Sequence, residues 1–102
     1  MREIAQIVDW IDDEIDGCEK YAAAASAAKD AGDIETCRAY ADMAGTELNH
    51  ADALHAIVVR KIREVEARGT EVPAGMMEIW NWKHEKYIDR VAKARVMVQM
   101  CQ

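Results

Sequence analysis

The stretch TELNHADAL, from Thr46 to Leu54, contains a carboxylate and an imidazole at a spacing that suits metal binding. Glu47 and His50 lie three residues apart in what the apolar periodicity predicts to be a long helix. Both fall on positions at which that helix should bury its side chains. A buried carboxylate one turn from a buried imidazole is costly unless another group pairs with both, and a bound cation would do so.

Two clusters of Gly, Pro and polar residues divide the chain into three helical segments. They are KDAGD at residues 29–33 and RGTEVPAG at residues 68–75, and the apolar spacing between them is helical. We therefore predict helices over about residues 2–29, 33–68 and 74–100, with Asp33 as the N-cap of the second. The predicted fold is all-α, a long antiparallel helical hairpin plus a third helix, in one domain over residues 1–102.

Each predicted helix has an apolar stripe that a few polar residues interrupt. The first stripe is interrupted by Glu14, the second by Glu47 and His50, and the third by His84. If the first two helices form an antiparallel hairpin around Ala31, Glu14 lies about 17 residues before the turn and Glu47 about 16 after it. At ~1.5 Å per residue the two carboxylates stand at nearly the same height, with His50 one turn away.

The other two histidines are predicted to lie outside this group. With the second turn centred near Glu71, His84 comes level with about Val58, which is roughly eight residues or ~12 Å from the candidate site. We therefore predict that His84 is a packed or hydrogen-bonded histidine. His55 follows His50 by five residues and points elsewhere on the helix, so it is predicted to be a surface or interface residue.

One chain supplies two carboxylates and one imidazole, whereas iron(II) or manganese(II) usually takes about five or six ligands. Two chains related by a two-fold axis would supply four carboxylates and two imidazoles, which is the ligand inventory of a di-iron site in a four-helix bundle. The sequence therefore predicts a homodimer, or a larger even-numbered assembly, that shares a di-iron centre between two hairpins. Manganese is the alternative metal.

The spacing of Glu14, Tyr21, Glu47 and His50 resembles that of the ferritin-like superfamily over residues 11–54. Tyr21 follows Glu14 by seven residues, and Glu47-Leu-Asn-His50 begins 33 residues after Glu14. The pattern is similar to the first half of rubrerythrins, and the short chain with one half-site resembles the encapsulated ferritins. The resemblance implies a ferritin-like four-helix core that oxidises iron(II) with dioxygen or peroxide.

The resemblance also implies a role for each matching residue. Glu47 would bridge or chelate the metals, His50 would bind one iron, and Glu14 would be a further carboxylate ligand. Tyr21 would be a hydrogen-bond or redox neighbour of the site. Two other interpretations remain open: a register shifted by one residue that leaves Glu14 at the edge of the core, and a metal-free helical interaction or structural module of ferritin-like fold.

Composition excludes several classes of partner. The net charge is −6 with acids and bases interspersed, so no basic face for nucleic acid is predicted. No apolar run approaches the roughly 20 residues of a membrane span and the N-terminus lacks a signal-peptide pattern, so a cytoplasmic location is predicted. The 3 cysteines are an odd number without CxxC spacing, so no disulfide framework is predicted, and Cys18 and Cys37 are interpreted as small core residues.

Overall fold

The computed structural model describes residues 2–101, which form three α-helices and no strand. Helix α1 spans Arg2–Asp30, α2 spans Ile34–Ala67 and α3 spans Ala74–Gln99. The all-α class is confirmed, and the helix ends lie within one residue of the predicted bounds. Within residues 2–101, none of the helices combines the length and the hydropathy that a membrane span requires.

Two glycines with positive φ reverse the chain between the helices. Gly32 has a φ of 79° and Gly69 a φ of 75°, a region that side chains other than glycine rarely adopt. Asp33 then caps α2, because its Oδ1 accepts a hydrogen bond from the Thr36 backbone N–H at 3.1 Å. The first reversal places α1 and α2 side by side and antiparallel in a molecule of 56 × 18 × 18 Å.

The core of the hairpin changes in character along its length. Away from the first turn it consists of large aliphatic side chains, of which the most deeply buried are Ile4, Ile11, Ile15 and Val58. Towards that turn it consists mainly of small residues, Cys18, Ala22, Ala25, Ala41 and Ala44. Small residues let two helix backbones approach closely, so in this half of the hairpin the two helices are in close contact without bulky side chains between them.

Helix α3 packs along one face of the hairpin and is held there by cations that pair with α1. Lys83 donates to Asp12 at 2.8 Å, and Arg90 forms ion pairs with Asp16 and Glu19. These contacts raise the pKa of Arg90, chiefly through its hydrogen bond to Glu19. The acidic run of α1 is therefore covered in part by α3 and serves to dock that helix.

Cys37 and Cys101 form a disulfide that ties the second residue after α3 to the start of α2, with Cα atoms 5.9 Å apart. The prediction that the cysteines form no disulfide is wrong, since an odd count does not exclude one bond plus one free thiol. Cys37 is buried as predicted, and Cys18 is a free buried thiol. Disulfides are rare in reducing compartments, so the bond counts against the cytoplasmic location, which stays a prediction.

Candidate metal centre

Glu14, Glu47 and His50 converge on the hairpin. One potential ligand atom from each lies within 4.8 Å of the other two. His50 Nδ1 and Glu14 Oε2 are 3.3 Å apart, a contact between residues on different helices. The structure thus brings together Glu14 and Glu47, which the spacing predicts at nearly the same height, and His50, which it predicts one turn away.

The site is more open than the apolar stripes predicted. The Glu14 side chain is 25% exposed and the His50 side chain is 56% exposed, so the expectation that helix packing buries His50 is wrong for the single chain. The reason is the position of α3, whose ion pairs go to the Asp12 side of α1 and to Asp52 on α2. Glu14, Glu47 and His50 are left on a face that α3 does not cover.

The two carboxyl groups interact directly. The pKa of Glu47 is raised, first by its hydrogen bond to Glu14, then by partial desolvation and by the repulsion between the two charges, while His50 acts in the opposite direction. Two neighbouring carboxylates repel one another when both are ionised, so the folded chain favours a shared proton at this pair more than the unfolded chain does. A cation bound here would relieve the same repulsion and would compete with that proton.

Gly17 allows the Glu47 carboxylate to approach α1. A Cβ atom added at Gly17 would lie 2.9 Å from Glu47 Oε2, which is closer than real Cβ contacts. A glycine inside a helix is less favourable than alanine by roughly 0.5–1 kcal/mol, so Gly17 by itself weakens α1. Gly17 was not among the predicted site residues, although an isolated glycine within a strong helical pattern can mark a packing or functional constraint.

Tyr21 lies on α1 two turns beyond Glu14 and packs against the small-residue half of the core. Its ring is 6.4 Å from the ring of Tyr40 on α2, and the two planes are inclined by 21°. The structure therefore places Tyr21 in a stacked aromatic pair two helical turns from Glu14. Its hydrogen-bond or redox role stays a prediction.

The remaining histidines form a separate pair. The ring centre of His84 lies 4.8 Å from that of His55 and 5.4 Å from that of Trp80. His84 is packed between α3 and α2, and it does not belong to the group formed by the three candidate ligands. His55, predicted to be a surface or interface residue, is half-buried at the contact between α2 and α3, and its Nε2 atom is buried without a hydrogen-bond partner within residues 2–101.

Comparison with known proteins does not assign the chain to a family. No protein family model matches the chain, and neither does any curated protein or solved structure. The likeness to ferritin-like proteins therefore depends on Glu14, Tyr21, Glu47 and His50 alone.

Proposed function

We propose that the protein binds iron(II) through Glu14, Glu47 and His50 and promotes its oxidation at a di-iron centre shared by two copies of the chain. The observation that supports the proposal best is the convergence of two carboxylates and one imidazole, with one atom of each within 4.8 Å of the others. Carboxylates with imidazole form the donor set of di-iron and di-manganese bundle proteins, so manganese(II) is the alternative metal.

Incomplete coordination supports a shared centre. Three donors leave about half of the coordination positions of an iron(II) ion open. The same donors lie on the face that α3 leaves uncovered, where a second hairpin can approach. A two-fold related copy would add an identical set of donors and neutralise two divalent cations with four carboxylates.

Apolar side chains around the three donors support the same arrangement. Trp10 lies one turn before Glu14 and is 47% exposed, and Met43 lies one turn before Glu47 and is 44% exposed. On the other side of the site, Leu54 follows His50 by one turn and is only partly buried. A second hairpin docked across this face would cover these side chains and complete a four-helix core.

The proposed reaction divides the work between the metal and the chain. Iron supplies the one-electron redox chemistry, each iron(II) giving one electron to dioxygen or peroxide. Glu47 and Glu14 would balance the charge and release their shared proton on binding. His50 would bind as a neutral imidazole, so its contact with Glu14 would be exchanged for one with the metal.

A metal-free interaction module is the second candidate function. The contact of 3.3 Å between His50 and Glu14, together with the hydrogen bond that raises the pKa of Glu47, shows that the three side chains can satisfy one another without a cation. In that case the exposed Trp10 and Met43 would serve only as a docking surface.

Elemental analysis of the full chain, as purified and after anaerobic loading with iron(II), distinguishes the two functions. We expect about one iron per chain in a dimer or larger even-numbered assembly, with the mass measured on the same sample. Glu47→Ala and His50→Ala should lose the iron and weaken the dimer, whereas His84→Phe should keep both. A folded protein that takes up no stoichiometric metal would refute the proposal and favour the interaction module.

A further inference from the structure

His55 on α2 and His84 on α3 form a pair in which one ring nitrogen has no hydrogen-bond partner in the described part of the chain. The two ring centres are 4.8 Å apart with planes tilted by 34°, and Trp80 stacks on His84 with planes only 6° apart. The buried Nε2 of His55 finds no hydrogen-bond partner in the described part of the chain. Such an unpaired buried nitrogen is unfavourable, so a group that pairs with it would be bound favourably.

A cavity lies beside the pair. It has a volume of about 160 Å³ and is lined by both imidazoles, by the Asp52 carboxylate and by apolar side chains. Asp52 precedes His55 by three residues and therefore lies on the same side of α2. Its only ion pair within residues 2–101 is a long one, 3.4 Å from Asp52 Oδ2 to Arg95 Nη2. The cavity thus offers two nitrogen donors and one weakly held oxygen donor.

Burial favours the metal-binding form of His55. The pKa of His55 is lowered, first by burial and then by the neighbouring His84, while Asp52 raises it less. The folded chain therefore favours the neutral imidazole of His55, whose lone pair can bind a metal. Imidazole nitrogens of this kind suit zinc(II) and other transition metals.

We propose that His55 and His84 form a second metal site, which takes a divalent cation that favours nitrogen ligands, zinc(II) being the ion it fits. With Zn–N bonds of about 2.0–2.1 Å, two imidazoles on one tetrahedral ion have ring centres roughly 5 Å apart. The ring centres of His55 and His84 are separated by 4.8 Å. Within residues 2–101, only Glu14, Glu47 and His50 have ligand atoms that all lie within 4.8 Å of one another, so Asp52 must leave Arg95 and turn towards the imidazoles to become the third ligand. Water would fill the fourth position.

This site is distinct from the carboxylate site in residues, helices and chemistry. It joins α2 to α3, whereas Glu14, Glu47 and His50 join α1 to α2. It has two imidazoles and one carboxylate, a donor set that both zinc(II) and iron(II) use, and zinc(II) binds the more tightly of the two at a given nitrogen and oxygen site. A cation bound there would fix α3 on the hairpin and raise the unfolding temperature, because it binds only the folded chain.

Titration with zinc(II) alone, in competition with a chromophoric chelator, tests the proposal. The titration uses a full-length variant with Glu47→Gln and His50→Ala, two substitutions that disable the carboxylate site. We expect this background variant to bind one zinc per chain. Adding His84→Phe, which keeps an aromatic ring on Trp80 but has no nitrogen, should weaken binding by more than tenfold, since even loss of an indirect partner of a ligand weakens metal binding by about 10–100-fold.

Asp52→Asn provides a second variant that leaves the packed rings untouched, and it should weaken zinc binding as well. Cobalt(II) in place of zinc should give the intense visible absorption of a tetrahedral ion, and His84→Phe should remove it. The proposal is overturned if the folded background chain binds no zinc, or if His84→Phe binds zinc as tightly as the background does. Unchanged affinity in Asp52→Asn would overturn the assignment of Asp52 as a ligand. None of these outcomes depends on whether iron binds elsewhere.

Discussion

Substituting Gly17 by alanine should stabilise the metal-free protein and weaken metal binding at the same time. Gly17 lies inside α1, one turn beyond Glu14, and faces the Glu47 carboxylate from α2. An alanine is more favourable than glycine at such a helical position by roughly 0.5–1 kcal/mol. The same methyl group competes with the carboxylate for space, so the two effects have opposite signs.

The distances determine how large each effect is. The new Cβ would lie 2.9 Å from Glu47 Oε2 and 3.4 Å from Glu47 Cδ, so the carboxylate must retreat by about 0.5 Å to reach an ordinary contact. Because this group ends a flexible side chain, its retreat affects stability little, and the unfolding temperature should rise by about 2–8 °C. Ligands in a functional site must be held to within about 0.5 Å, so metal affinity should fall by about 10–100-fold.

Gly45→Ala is the matched control. Gly45 also lies inside a long helix, but no atom lies within 4 Å of the Cβ that alanine would add. Melting followed by circular dichroism measures stability without metal, and calorimetric titration with manganese(II) measures affinity without oxidation. Both variants should melt at higher temperature, and only Gly17→Ala should lose affinity. Equal affinities in the two variants would show that Gly17 does not position Glu47.

Glu47→Gln should remove a pH dependence of stability. The pKa of Glu47 is raised in the folded chain, so the native state holds an extra proton and the free energy of unfolding falls as pH rises above about 4.5, the usual value. Between pH 4 and 8, the free energy of unfolding measured with urea should fall less for the metal-free variant than for the metal-free wild type. An identical fall in the two proteins would contradict the shared proton. Reducing the Cys37–Cys101 bond, which links residues 64 positions apart, should lower the free energy of unfolding by about 3–4 kcal/mol. Cys37→Ser should lose the same amount and no longer respond to reductant, whereas Cys18→Ala should respond as the wild type does.

The helices and the convergence of the site could be derived from the sequence because both depend on local rules. Gly, Pro and polar residues are confined to two clusters, and the helices end within one residue of the bounds that these clusters predict. In a straight antiparallel hairpin, height follows from residue count, since each residue adds ~1.5 Å. Counting from the first turn therefore placed Glu14 level with Glu47 and one turn from His50, and in the structure His50 Nδ1 lies 3.3 Å from Glu14 Oε2.

The face that α3 covers could not be derived in the same way. An apolar stripe identifies the side of a helix that packs against something, but it does not distinguish another helix of the chain from a second copy. Ion pairs of Arg90 with Asp16 and Glu19 determine which face of the hairpin α3 covers, and that face points away from His50. The His50 side chain is 56% exposed because α3 packs on the other face.

The disulfide, in contrast, was within reach of the sequence. The odd number of cysteines without CxxC spacing argued against it, but the positions of the two glycines predict it. Glu14 and His50 each lie 18 residues from Gly32, and Cys37 and Cys101 each lie 32 residues from Gly69. Both glycines have positive φ and mark the points at which the chain reverses. Centring the second turn near Glu71 instead placed His84 level with Val58, about one helical turn from its actual neighbour His55. Centring it on Gly69 predicts both the histidine pair and the disulfide, because a glycine at a helix C-terminus fixes where the next helix begins to return.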